Sequence, residues 1–239
     1  MCKINVVIVD DERSSREELK LALSAYEDFT IIGEAKNVDE AKTLITTMHP
    51  DLIFLDIQMP GQSGFDLLEQ LSQVPQVIFV TAYDQYAIRA FDNNALDYLL
   101  KPFRTERFAQ TIEKIRVKRE EMKAKEQLSS QTKQIFLKDG EHAYFIQPLS
   151  VYRIASAENY SKVYFEDKKV VIKRSLHQWE SRLDPAIFFR ANRTELVNIR
   201  FIQQVKPTAG GRLELVLQNG TVVEVSMRQS VKFRNINRI

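Results

Sequence analysis

Two domains of different class are predicted, an α/β doubly wound five-stranded parallel sheet followed by a mainly β domain. Three observations predict this. Short apolar runs alternate with helical patterns over the first hundred residues, and short alternating strands replace them after Gln134. Charge divides at the same place, with 10 Lys+Arg against 18 Asp+Glu in residues 1–112 and 24 against 14 in residues 113–239. Such asymmetry implies that the halves meet different partners, a cation for the acidic half and an anionic polymer for the basic one. At 239 residues the chain can bury two modest cores.

The first run, Ile4 to Val9, is an apolar strand that ends in Asp10-Asp11-Glu12. Leu19, Ala22, Leu23 and Tyr26 then fall at helical spacing. Thr30 to Ala35 is a strand, and Val38 to Met48 is a helix with Ala41, Leu44, Ile45 and Met48 on one face. Leu52-Ile53-Phe54-Leu55 has the continuous apolar character of a strand buried on both faces, and it ends on Asp56. Met59-Pro60-Gly61 stops it, and Gly64 to Leu71 is helical. Val77 to Val80 is a strand ending on Thr81-Ala82. A helix about Tyr86 to Asn93 leads to the last strand, Asp97 to Leu100, which ends on Lys101-Pro102.

Four of five strand ends therefore deliver polar groups to one sheet edge, where open α/β sheets place their chemistry. Singly these residues have ordinary explanations: Asp56 or Asp10-Asp11 as caps, Thr81 as a β-former, Lys101 as surface charge. Carboxylates from two strands repel one another, and a divalent cation with oxygen ligands relieves this, which favours Mg²⁺. Asp56 can then act as a nucleophile toward a phosphoryl group, with the metal and the Lys101 ammonium neutralising charge and the Thr81 hydroxyl donating to the acyl phosphate.

Val-Asp-Asp-Glu (9–12), Leu-Asp-Ile-Gln-Met-Pro (55–60), Val-Thr-Ala (80–82) and Tyr-Leu-Leu-Lys-Pro-Phe (98–103) resemble the signature blocks of the response-regulator receiver domain, which has a flavodoxin-like fold. The resemblance covers roughly residues 3–120. It implies that Asp56 accepts phosphate from a histidine kinase. It further implies that Asp11, Asp56 and the Gln58 main-chain carbonyl ligate Mg²⁺, with Asp10 acting through water. Thr81 and Lys101 would contact the phosphoryl group, Tyr98 would turn inward when Thr81 moves, and the Lys101–Pro102 peptide would be cis. Gln58 and Tyr83 are expected to line the site mouth and tune phosphate lifetime.

Phe103 to about Leu128 reads as one long helix whose later part, rich in charge, has too little apolar face to pack on a core. Ser129-Ser130-Gln131-Thr132 is the best boundary. The expected organisation is a phosphoacceptor domain over 1–120, a helical extension and linker over 121–132, and a second domain over 133–239. In the latter, strands are expected at Ile135–Leu137, Ala143–Ile146, Val151–Ala155, Lys162–Phe165, Val170–Lys173, Phe201–Val205, Arg212–Leu217 and Thr221–Val225. Asn219-Gly220 is a strong hairpin signal. Helices are expected around Ser175–Leu183 and from Arg228. Trp179, with Leu176 and Leu183, reads as core.

This half has no metal-ligand spacing and no nucleophile–base pair. Its Arg, Lys and Asn content near loops suits duplex DNA, since Arg reads guanine and Asn pairs with adenine. Phe-Phe-Arg-Ala-Asn-Arg-Thr-Glu-Leu-Val-Asn (188–198), Ala-Glu-Asn-Tyr (157–160) and Val-Ser-Met-Arg (225–228) resemble a LytTR-type DNA-binding domain over roughly 133–239. The resemblance implies that loops enter successive major grooves of a direct repeat. Asn159, Arg193 and Arg228 match its base-contacting positions, and Lys162 and Arg234 are phosphate-contact candidates. Asn192 stands where that family usually has His, and Glu195 where an aromatic is common.

The expected function is that of a transcription regulator, not an enzyme, which dimerises on phosphorylation and binds direct-repeat promoter DNA. Two other readings compete: a receiver controlling a protein- or RNA-binding module, and an aspartyl-phosphate phosphatase. The phosphatase would need a second acid where this chain has Gln58, and a substrate cap. No apolar run reaches the length of a membrane span, Asp10 and Asp11 interrupt any signal-peptide pattern, and a cytoplasmic location is expected. The single cysteine, Cys2, excludes an internal disulfide.

Overall fold

The computed structural model describes residues 3–82, 95–126, 134–140 and 142–237. Tyr83, the helix expected at Tyr86–Asn93 and the boundary expected at Ser129–Thr132 lie outside the described residues. By its contacts the chain divides into two units, Met1–Ile146 and Gln147–Ile239.

In the first unit, β1 (Ile4–Val9), β2 (Phe29–Ala35), β3 (Leu52–Leu55), β4 (Gln76–Thr81) and β5 (Asp97–Leu100) form one parallel sheet in the order β2-β1-β3-β4-β5. Helices α1 (Arg13–Leu23), α2 (Val38–Met48) and α3 (Gly64–Gln70) follow β1, β2 and β3, and α4 (Thr105–Glu126) follows β5. Both sheet faces are covered, which is why the strands read as continuous apolar runs. Val7, Val9, Ile53, Leu55, Val77 and Phe79 share one core with Ala41 and Ile45 of α2 and Leu67 and Leu68 of α3. Val6, Ile8, Leu52, Phe54, Ile78 and Val80 share the other with Leu19 of α1 and Phe108, Ile112 and Ile115 of α4. Local signals start the short helices. The Asn37 side chain accepts from Glu40 N at the head of α2, and Ser63 and Asp66 form a capping box at the head of α3.

The first unit also holds the hairpin β6 (Ile135–Asp139) and β7 (His142–Ile146), later than the boundary expected at residue 132. Phe136 and Phe145 join the core around α3 and β4. Phe136 stacks on Phe65 with centroids 6.1 Å apart, Phe145 lies 6.4 Å from Phe79, and Val74 N donates to Gln134 O at 3.0 Å. The short α3 leaves Phe65 and Phe79 an apolar flank, and the hairpin's two phenylalanines cover it.

In the second unit, β8 (Val151–Ala157), β9 (Tyr160–Phe165), β10 (Lys168–Ile172), β11 (Phe188–Arg190) and β12 (Glu195–Asn198) form an antiparallel sheet in the order β10-β9-β8-β12-β11. A three-stranded meander follows, β13 (Ile202–Pro207), β14 (Leu213–Leu217) and β15 (Val222–Val225). Asn219-Gly220 turns β14 into β15, with Gly220 at φ 81° in the left-handed region. The α-helices of the unit's described residues are α5 (Leu176–Glu180) and α6 (Met227–Asn237). Trp179 of α5 is fully buried and donates from Nε1 to Ser161 Oγ at 2.7 Å. Strands β11 and β12 were not among those expected. Leu196, Val197 and Asn198 of β12 are all buried, so the segment has no polar alternation to betray it.

Candidate functional site

The parallel register aligns the strand ends of the first unit. Val9 pairs with Leu55, Leu55 with Phe79, and Thr81 with Leu100, so the next residues emerge side by side at one edge. Asp56 N donates to Val9 O at 2.8 Å and Lys101 N to Thr81 O at 2.9 Å, which carries the ladder one residue past the strands. Asp10, Asp11 and Asp56 each offer a carboxylate oxygen, all within 4.8 Å of one another. Lys101 Nζ lies 2.6 Å from Asp10 Oδ2 and 2.7 Å from Asp56 Oδ2. Gln58, exposed, donates its backbone N–H to Asp56 Oδ1 at 3.1 Å. Thr81 is buried at the same edge, and the Lys101–Pro102 peptide is cis.

Gly64 fixes the approach of α3 to this edge. A Cβ there would lie 2.3 Å from the Asp56 carbonyl oxygen, and Gly64 N donates to Ile57 O at 2.9 Å. Only glycine permits that approach.

Burial pushes the Asp10 carboxyl above the usual aspartate range, despite the Lys101 ammonium and the Glu12 N–H that favour its charged form. Burial would also lower Lys101, but the two carboxylates outweigh it and hold the ammonium above the ordinary lysine value. Asp10 Oδ2 is buried and, apart from the ion pair with Lys101, has no hydrogen bond. An all-oxygen donor set with such an atom fits a hard divalent cation.

One polar cluster, at the opposite end of β5 from this site, escaped the sequence reading. Asp97, read only as the start of a strand, is buried and held by Arg107 through both guanidinium Nη atoms at 2.7 Å, by Thr111 Oγ1 at 2.8 Å and by Lys114 Nζ at 2.9 Å. Burial works to raise its pKa, yet these donors bring it down to about 2. Arg107 Nη2 also donates to Tyr98 O at 2.7 Å, and its guanidinium lies 5.9 Å from the Tyr98 ring centroid. Tyr98 is half-buried, against the core shared with α2 and α3. The signal available was an Asp followed by Arg, Thr and Lys on one face of the next helix, at Arg107, Thr111 and Lys114.

In the second unit, three of the DNA-contact candidates gather at one end. Asn159 is exposed in the turn between β8 and β9, where Glu158 adopts φ 54°. Arg193 is exposed in the loop between β11 and β12, and Arg228 is exposed in the first turn of α6. Backbone bonds tie these segments together, with Ser156 N donating to Thr194 O at 2.7 Å and Ser226 N to Ala191 O at 3.0 Å. Lys162 is half-buried on β9 and Arg234 half-buried on α6, and neither takes part in the loop bonds just named. Asn192 and Glu195 hold the loop itself. Asn192 Nδ2 donates to Glu224 O at 2.7 Å and to Glu195 Oε2 at 3.3 Å, and its Oδ1 accepts from Thr194 N at 2.8 Å. Arg153 pairs with Glu195 at 2.6 Å, so this acid's charge is compensated within the domain.

Residues 6–113 match the response regulator receiver domain family, and residues 141–237 match the LytTr DNA-binding domain family. The chain is 33% identical over 238 residues to the sensory transduction protein LytT of Enterococcus faecalis, covering 97% of this chain and 98% of that protein. It is 36% identical over 232 residues to the transcriptional regulatory protein BtsR of Salmonella typhi, covering 94% and 95%. Among solved structures, the response regulatory domain of protein mrkE from Klebsiella pneumoniae aligns with 49% of this chain and 99% of its own, at 30% identity and a TM-score of 0.45. The chain belongs to the response regulators that join a receiver domain to a LytTR DNA-binding domain. Within that class it is a transcriptional regulator of a two-component system. Among the described residues no helix is long and apolar enough to cross a membrane.

Proposed function

We propose that Asp56 is the phosphoacceptor and that its phosphorylation sets how tightly the LytTR domain binds DNA. In this reading Asp11, Asp56 and the Gln58 carbonyl hold Mg²⁺, with Asp10 acting through water. The ion supplies charge neutralisation for the transferring phosphoryl oxygens. An Asp56 carboxylate oxygen forms the new P–O bond as the P–N bond of the kinase phosphohistidine breaks, and the freed imidazole nitrogen takes a proton. Lys101 then pairs with the phosphoryl group, and the Thr81 hydroxyl donates to it. Movement of Thr81 lets Tyr98 turn inward, and two phosphorylated chains dimerise on a direct repeat. Asn159, Arg193 and Arg228 contact bases; Lys162 and Arg234 contact phosphates. The chain acts as a switch and not as an enzyme.

The observation that carries this reading is the cluster of Asp10, Asp11 and Asp56 with Lys101 Nζ within 2.7 Å of both Asp10 and Asp56. The test is a binding titration against random duplexes, with and without a small-molecule phosphodonor and Mg²⁺, for the parent and Asp56→Ala. Enrichment of a repeated motif that tightens with phosphodonor only when Asp56 is present is the expected outcome. Enrichment of no duplex would overturn it and point to a protein or RNA partner.

A further inference from the structure

Arg190 carries a positive charge at the end of β11, beside the loop that bears Arg193, and its guanidinium is spent on the loop backbone. Its Nε donates to Asn192 O at 2.6 Å and its Nη2 to Arg193 O at 2.7 Å, while Nη1 pairs with Glu180 Oε2 of α5 at 2.9 Å. Ala191 O accepts from Ser226 N and Thr194 O from Ser156 N. Every carbonyl from Ala191 to Thr194 is therefore bonded within the domain. A loop with its carbonyl oxygens engaged in this way presents side chains, not negative dipoles, to a polyanion. Engaging two successive carbonyls takes the planar fork of a guanidinium, because an ammonium is a point donor without that geometry.

We infer that Arg190 is a positioning residue for DNA recognition: anchored by Glu180, it clasps the Asn192 and Arg193 carbonyls and so aims the Arg193 side chain at a base. It makes no DNA contact itself. The inference rests on the reading of Arg193 as a base contact and adds the device that orients it. Glu180 neutralises the Arg190 charge, so Arg190 contributes little to the attraction of phosphates.

The test uses the full-length protein and the duplex that the parent selects from a random pool, with a scrambled duplex as control. Affinity is measured over a range of salt for Arg190→Lys, Arg193→Ala, the double variant and Glu180→Gln. Arg190→Lys should weaken binding to the selected duplex about tenfold, as losing one good base contact does, with affinity for the scrambled duplex and the salt slope unchanged. The double variant should bind no more weakly than Arg193→Ala alone, and Glu180→Gln should show a smaller loss of the same kind. Thermal melts matching the parent exclude a folding defect. Parent-like selectivity in Arg190→Lys, additive losses in the double variant, or a salt slope reduced by about one would each overturn the inference. If Arg193→Ala binds like the parent, the base-contact reading falls, and the positioning role falls with it; a loss in Arg193→Ala alone removes only the positioning role.

Discussion

At Lys101 one ammonium serves two carboxylates, Asp10 and Asp56, and both are buried. Removing it would leave two like charges facing each other in a poorly solvated edge, where an unpaired buried charge costs roughly 3–5 kcal/mol. Lys101→Ala should therefore lower the melting temperature in chelator, and Mg²⁺ should restore more of it than it adds to the parent. Thermal melts with and without Mg²⁺ check this; equal Mg²⁺ effects in the two proteins would separate Lys101 from the acidic cluster. The same edge depends on the absent side chain of Gly64. A Cβ 2.3 Å from the Asp56 carbonyl must displace α3 or β3, so Gly64→Ala is expected to cost about 1–3 kcal/mol and to slow phosphorylation by a small-molecule phosphodonor. Urea unfolding and phosphoprotein electrophoresis read the two effects. Asp10, Asp56 and Lys101 were legible in the chain because each ends an apolar run, whereas Gly64 was read only as the start of a helix. Arg190 was legible only as one of the loop Arg, Lys and Asn residues suited to duplex DNA, since nothing in its neighbours' spacing tells a guanidinium that reads DNA from one that clasps a carbonyl.

Among elements, β5 and α4 are joined through Asp97. Because the folded pKa of Asp97, about 2, lies below the usual unfolded value near 4, its contribution is full above that value and is lost as pH falls toward 2. Allowing for screening at half-exposed Lys114, this amounts to roughly 1–2 kcal/mol. The stability gap between the parent and Asp97→Asn should be constant from neutrality to about pH 5 and then narrow with further acid. Denaturant titrations at successive pH values test this, and a gap that widens in acid would reverse the sign. The β6–β7 hairpin offers a second test at this scale. Trp179 is the single tryptophan and sits in the second unit, so its fluorescence reports that unit, while the helices of the first dominate far-ultraviolet dichroism. Phe136→Ala should cost about 3–5 kcal/mol and shift the dichroism transition while leaving the Trp179 transition near the parent's. Strand alternation revealed this hairpin but not its allegiance, because an apolar face shows that something covers it without showing what. Strands β11 and β12 went unread for a different reason, the lack of polar alternation, whereas the parallel strands of the first unit, each closed by a polar residue, were recovered within a residue or two at each end.

For the whole molecule, the decisive quantity is how many phosphates the protein engages at once. Residues 147–239 carry 16 Lys+Arg against 8 Asp+Glu, the balance of a surface that attracts a polyanion without specifying sequence. In the proposed reading, specificity then falls to the few exposed side chains at one end, Asn159, Arg193 and Arg228, whose segments are held together by backbone bonds. In that reading one such set would contact too few bases to distinguish a promoter from the competing DNA of a genome, and two sets on a direct repeat would nearly double the discrimination. If phosphorylation of Asp56 works by pairing two chains on one duplex, the slope of log affinity against log salt should roughly double with phosphodonor and Mg²⁺, because twice as many counterions are released. An unchanged slope with tighter binding would mean that each chain binds singly and that phosphorylation frees or reshapes a monomer. Asp56→Ala should keep the shallow slope under both conditions, which assigns any change to that carboxylate and not to Mg²⁺ acting on the DNA.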